Sequence, residues 1–137
     1  MTTPGSGSAP QPSIELLWFQ DCPNHLTARQ MLIDLMTTIA PRAVLVSIDA
    51  TDPSVAASLR FPGSPTIRVD GIDVDPSYSD PGDYTPRCRL YRTAAGLRGL
   101  PDTEWIRSAL EHAMARRASA ERQGPGGLRG QPTTEMA

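Results

Sequence analysis

The run Trp18-Phe19-Gln20-Asp21-Cys22-Pro23-Asn24-His25 places a cysteine where an apolar stretch ends and a helix begins. A thiol in that setting faces the unpaired N–H groups and the positive end of the helix dipole. Both favour thiolate over thiol, giving a nucleophile or a soft-metal ligand. His25 stands one helical turn beyond Cys22, where an imidazole can stabilise the thiolate or act as general acid and base. Asp21 reads as a helix cap whose negative charge opposes the thiolate. Cys88 is the only other cysteine, and so the only internal thiol that can partner Cys22.

Two cysteines and one histidine fall short of the four tightly spaced ligands of structural zinc. A soft ion that takes two thiolates, such as Hg²⁺ or Cu⁺, suits a Cys22 and Cys88 pair better. The acids Asp70, Asp73, Asp75, Asp80 and Asp83 lack the fixed alternation and closing glutamate of a calcium loop and read as turn formers. His112 reads as a surface residue, and the methionines at helical spacing as core. No residue pattern calls for a cofactor.

A chain of 137 residues suits one ordinary domain. Its net charge is −2 with 13 arginines and no lysine, so no basic excess points to nucleic acid or an anionic membrane. No apolar run approaches the roughly 20 residues needed to cross a bilayer. Two cysteines do not make a secreted disulfide framework, and the first residues lack a signal-peptide pattern, so a cytoplasmic protein is expected.

Residues 1–12 are Gly, Ser, Pro, Thr and Gln with little to bury and read as a disordered arm, 13–117 as the folded domain, and 118–137 as a disordered tail. Ile14 to Phe19 has the composition of a central strand. Pro23 suits a first helical turn, and Leu26, Ala28, Met31, Leu32, Leu35, Met36 and Ile39 recur at helical steps up to Pro41. Ala43 to Ile48 reads as a second buried strand. Asp52 followed by Pro53 opens a shorter helix over Val55, Ala56 and Leu59. This alternation argues for a parallel strand pair with right-handed crossovers. Thr66 to Val69 then reaches Asp70-Gly71, a two-residue hairpin signal that returns Ile72 to Val74 beside it. Residues 75–87 have no periodicity, Cys88 to Arg92 alternates like an exposed strand, and a further loop runs through Gly96, Gly99 and Pro101. Asp102 caps a last helix bearing Ile106, Ala109, Leu110 and Ala113, with Arg116 and Arg117 near its end.

The strand, the Cys22-x-x-His25 helix, a second strand and helix, and Ser64-Pro65-Thr66 before a hairpin and terminal helix together resemble the thioredoxin-like superfamily over residues 13–115. That resemblance implies an α/β fold with a four- to five-stranded mixed sheet flanked by three helices. It further implies a redox-active Cys22 followed by Pro23, and a cis bond at Ser64–Pro65 in a segment, Ser64 to Thr66, that holds an extended substrate. His25 stands where the family's redox members carry a second cysteine, so Cys22 works as a monothiol or with Cys88. Gly63-Ser64-Pro65-Thr66-Ile67, Asp70-Gly71 and the later Cys-Arg-Leu-Tyr also resemble small proteins grouped with alkylmercury lyase. In that enzyme two cysteines bind the organomercurial and an aspartate manages a proton. Here Cys22 and Cys88 match the thiols, and Asp21 is the positional guess for the acid.

Whether Cys88 reaches Cys22 depends on strand pairing. If Asp70-Gly71 makes a two-residue hairpin, the chain is back at the Pro65 end when the long loop begins. If Cys88 to Arg92 pairs directly with Thr66 to Val69, Cys88 starts at the far edge, beyond the ~7 Å Cα limit for a bridge. The Asp-Gly signal favours the first. Three functions follow: an oxidoreductase-like exchange of thiols with a disulfide or other small thiol-reactive substrate through Cys22, handling of organomercurials or a soft metal ion by both cysteines, or binding without turnover.

Overall fold

Alternation within Ile14-Glu15-Leu16-Leu17-Trp18 decides which side chains face which layer, because successive strand residues point to opposite sides of a sheet. In the computed structural model, which describes residues 10–123, this segment is β1 (Ile14–Trp18), inside a four-stranded mixed sheet. The earlier part of the arm and the tail beyond residue 123 lie outside the described residues. The other strands are β2 (Leu45–Asp49), β3 (Thr66–Val69) and β4 (Ile72–Asp73), in the order β2-β1-β3-β4. β1 and β2 run parallel, while β3 is antiparallel to both β1 and β4.

Ile14 and Leu16, with Ile67 and Val69 of β3, face a core completed by α1 (His25–Ile39) and α3 (Thr103–Gln123). Ala28, Leu32, Leu35 and Met36 supply the α1 side, and Ile106, Leu110 and Ala113 the α3 side. Leu26, expected on the apolar stripe of α1, is instead 73% exposed. Leu17 points the other way, into a smaller cluster with Ala50, Ala56 and Phe61 that seats α2 (Pro53–Ser58). Asp52 caps α2 by accepting from the Ser54 N–H, with Pro53 in the first turn. At its other end Phe61 N–H donates to Ala56 O and Arg60 N–H to Ala57 O, a Schellman closure with Arg60 at φ +51°. That turn delivers Phe61 to the core and aims the chain at Ser64.

Several elements differ from expectation. β2 is an edge strand rather than a buried one, with Val46 half exposed, because among the described residues no strand pairs with its outer side. α1 begins at His25, leaving Cys22 before the helix and not in its opening turn. Cys88 to Arg92 does not join the main sheet as a fifth strand. Instead β5 (Tyr91–Thr93) pairs with β6 (Gly96–Arg98) in a separate ribbon. α3 continues past Arg117 to Gln123. Among the described residues no helix is long and apolar enough to cross a membrane.

The β3–β4 hairpin forms at Asp70-Gly71, both at positive φ, as a two-residue turn of this twist requires. Asp70 also ties three parts of the chain together. Its carboxylate accepts from Arg117 (2.8 and 2.9 Å), Arg116 (2.9 Å) and the Ser13 N–H (3.0 Å). Partial burial pushes this carboxyl up, but the bonds from Arg117, Ser13 and Arg116 outweigh it and leave it below its ordinary value. A depressed carboxyl stabilises the fold above its unfolded pKa and loses that contribution as pH falls through the folded value. Asp70→Asn keeps a residue tolerant of positive φ and is therefore expected to cost about 1–3 kcal/mol at pH 7. The gap to the parent should close below about pH 4, as read by urea unfolding at several pH values.

Candidate functional site

Beyond β1 the chain turns back on itself: the Cys22 N–H donates to Phe19 O at 3.0 Å. Cys22 is half-buried with a free thiol, two residues short of the Asn24 N-cap of α1. Pro23 and Asp21 are exposed, and Asp21 does not cap the helix. The His25 ring stacks on Trp18 with centroids 4.0 Å apart and planes 10° from parallel. Its Nε2 is buried without a partner, and no hydrogen bond joins it to Cys22. Burial first, then the Arg29 charge, pull the His25 pKa below 6.5, against a smaller upward pull from Asp49. The imidazole is thus neutral at pH 7 and supplies no counter-charge for a thiolate.

The β1–β3 register places Leu17 opposite Thr66, so Pro65 and Ser64 continue toward the same end of the sheet as the Trp18-to-Cys22 turn. The Ser64–Pro65 bond is cis. On the side away from β1, Ser64 N–H donates to Arg87 O (2.8 Å) and Arg89 N–H donates to Ser64 O (2.9 Å). These two bonds bracket Cys88 in an isolated parallel bridge with Ser64. Cys88 therefore sits at the Cys22 end of the sheet, the arrangement the Asp70-Gly71 hairpin favours, and its own thiol is free and exposed. Ser64, Pro65 and Thr66 are buried, and both backbone hydrogen-bonding groups of Ser64 are taken by the chain's own 87–89 segment. An extended substrate cannot use them in this conformation. The Ser64 Oγ, also buried, has no partner.

What holds the 87–89 segment there is a buried cluster around Arg89. Its guanidinium reaches Asp73 through two hydrogen bonds of 2.7 and 3.1 Å and Thr66 Oγ1 at 2.9 Å, with Asp75 at 3.8 Å. It lies 4.2 Å from the centroid of Tyr91, whose hydroxyl donates to Pro65 O. Thr66 Oγ1 in turn donates to Gly63 O. Burial works against the Arg89 cation, yet the Asp73 bonds and the surrounding groups raise its pKa overall, and burial pushes the Tyr91 hydroxyl up. Gly63, at φ +131°, is required by this packing, since a Cβ there would lie 2.8 Å from the Arg89 Cβ.

Arg89, Asp73 and Tyr91 were not expected at the site. Cys88-Arg89-Leu90-Tyr91 does alternate, but Arg89 and Tyr91 take the inner face, whereas Cys88 and Leu90 face out. An arginine two residues before a tyrosine was the available signal, weak because arginines mostly lie at the surface. Cys88 also lines a polar cleft of about 400 Å³ with Arg87, Ser77 and Tyr78. The acids of the long loop behave as turn formers: Asp73, Asp75, Asp80 and Asp83 each accept from the N–H two residues on. No group of three or more metal-ligating side chains gathers among the described residues.

Removing one partner of a buried pair strands the other charge, so Arg89→Ala is expected to cost about 3–5 kcal/mol. Chemical denaturation should find most of that loss recovered in the Arg89→Met, Asp73→Leu double variant. His25 should titrate below 6.5 by NMR, and a value above it would contradict the environment described here.

No family model matches this chain, and neither do any curated proteins or solved structures.

Proposed function

We propose that the chain is a thioredoxin-like thiol protein that exchanges disulfides through Cys22. One observation carries this reading: the bridge to Ser64 sets Cys88 at the end of the sheet where the Cys22 turn lies. The strand order β2-β1-β3-β4, with α1 and α3 on one face and α2 on the other, supports the thioredoxin-like assignment. So does a cis-proline directly before β3.

The Cys22 thiolate attacks one sulfur of a disulfide R–S–S–R′, forming a mixed disulfide and expelling R′–S⁻, which takes up the proton that Cys22 lost. Cys88 as thiolate then attacks the Cys22 sulfur and expels R–S⁻. The substrate has gained two electrons, the protein holds a Cys22–Cys88 disulfide, and an external dithiol resets it. His25, neutral with an unpartnered Nε2, is suited to accept the Cys22 proton. Thiols that must stay reduced between turnovers suit a reducing compartment such as the cytoplasm.

The same two free thiols favour a second reading, capture of Hg²⁺ or an organomercurial. Cleaving carbon from mercury also needs a proton donor. The exposed Asp21, with no bond toward Cys22, is a weak one, so this reading is binding rather than cleavage.

Exchange with glutathione disulfide separates these possibilities. Cys22→Ser should abolish the reaction, while Cys88→Ser should still form the mixed disulfide and stall there. If Cys22→Ser reacts at the parent's rate and Cys88→Ser does not, Cys22 is not the nucleophile.

A further inference from the structure

We propose that Arg89 is the positioning residue that fixes Cys88 as the resolving thiol, an inference that rests on the thiol-exchange reading above. Cys88 belongs to neither sheet. Its place is set by its two neighbours, Arg87 through its carbonyl and Arg89 through its N–H, each bonded to Ser64.

A pair of backbone bonds on an otherwise unpaired segment opens readily unless something anchors it. Arg87 supplies little: its side chain is exposed and meets Asp83 at 3.3 Å on the surface. Arg89 supplies the rest. Its side chain reaches three separate elements, Asp73 on β4, Thr66 on β3 and Tyr91 on β5, and is almost wholly buried. Its two-pronged bond to Asp73 fixes orientation as well as distance, which a lysine ammonium cannot reproduce. Arg89 also packs so close to Gly63 that a Cβ there would clash with it.

The chemical consequence concerns the second step. Attack by Cys88 on the Cys22 sulfur is intramolecular, and its rate depends on how much of the time Cys88 is held in register. Attack by Cys22 on the external disulfide needs no such register. Loosening Arg89 should therefore slow resolution and spare the first step, a split that general destabilisation does not produce.

The test uses the reduced full chain and one equivalent of an aromatic disulfide probe, 5,5′-dithiobis(2-nitrobenzoate). In the parent, both aryl thiolates are released from each probe molecule and the protein ends with a Cys22–Cys88 disulfide. Arg89→Lys and Asp73→Asn loosen the same bond from opposite ends, so one survives as a test if the other fails to fold. Each should slow release of the second thiolate by about tenfold or more, trapping aryl-modified Cys22 by mass spectrometry. The first-step rate, measured in a Cys88→Ser background, should not change. Arg92→Lys, on the exposed face, should behave as the parent. If the folded variants resolve at the parent's rate, Arg89 does not position Cys88. A parent that stops at aryl-modified Cys22 likewise overturns the inference, and with it the Cys88 step, while leaving Cys22 as the exchanging thiol. A parent whose Cys22 never reacts overturns both.

Discussion

A buried arginine must find its partners inside the protein, and the pairing of Arg89 with Asp73 sets the geometry of this molecule's candidate site. Asp73 follows the tight Asp70-Gly71 turn and is held in register with Arg68 across the hairpin. Arg89 comes from a part of the chain with no place in the main sheet. Joining them pulls the 87–91 segment across the buried Gly63-to-Thr66 loop, where its backbone pairs with Ser64 and the Tyr91 hydroxyl reaches Pro65 O. An unpaired charge on either side would be costly, so each partner depends on the other.

The clamp leaves one thiol on the outside. Arg89 and Tyr91 point in, so Cys88 between them and the Ser64 backbone must point out, beside a polar cleft. Cys22 approaches the same end of the sheet from the other direction, carried past the end of β1 by a turn and set ahead of α1. Cys22 is half-buried and Cys88 exposed, both with free thiols. His25, three residues after Cys22 and stacked on Trp18, adds a neutral imidazole and no charge.

Much of the scaffold was legible because it follows local rules. Ile14 to Phe19 is an apolar run with the composition of a central strand, Asp52-Pro53 opens a helix, and Asp70-Gly71 turns a hairpin; each is specified by neighbours in sequence. What was not legible depends on distant partners. Whether Ala43 to Ile48 is central or at an edge is decided by which strands pair, and its apolar residues read the same either way. The fate of Arg89 depends on an aspartate 16 residues earlier, and Asp70, visible as a turn residue, gave no sign that Arg116 and Arg117 would converge on it. The ribbon of β5 and β6 was missed because Thr93-Ala94-Ala95-Gly96 lacks the Asn-Gly or Asp-Gly signature that marked the first hairpin.

Exchange through both thiols requires Cys22 and Cys88, far apart in sequence, to meet at one end of the sheet. Dibromobimane, which fluoresces only when both its arms have reacted with thiols, measures this directly on the folded, reduced chain. A single bimane bridge mapped to Cys22 and Cys88, and absent from either serine variant, is the predicted result. Two thiols that each react readily with a monofunctional reagent but are never bridged would contradict it.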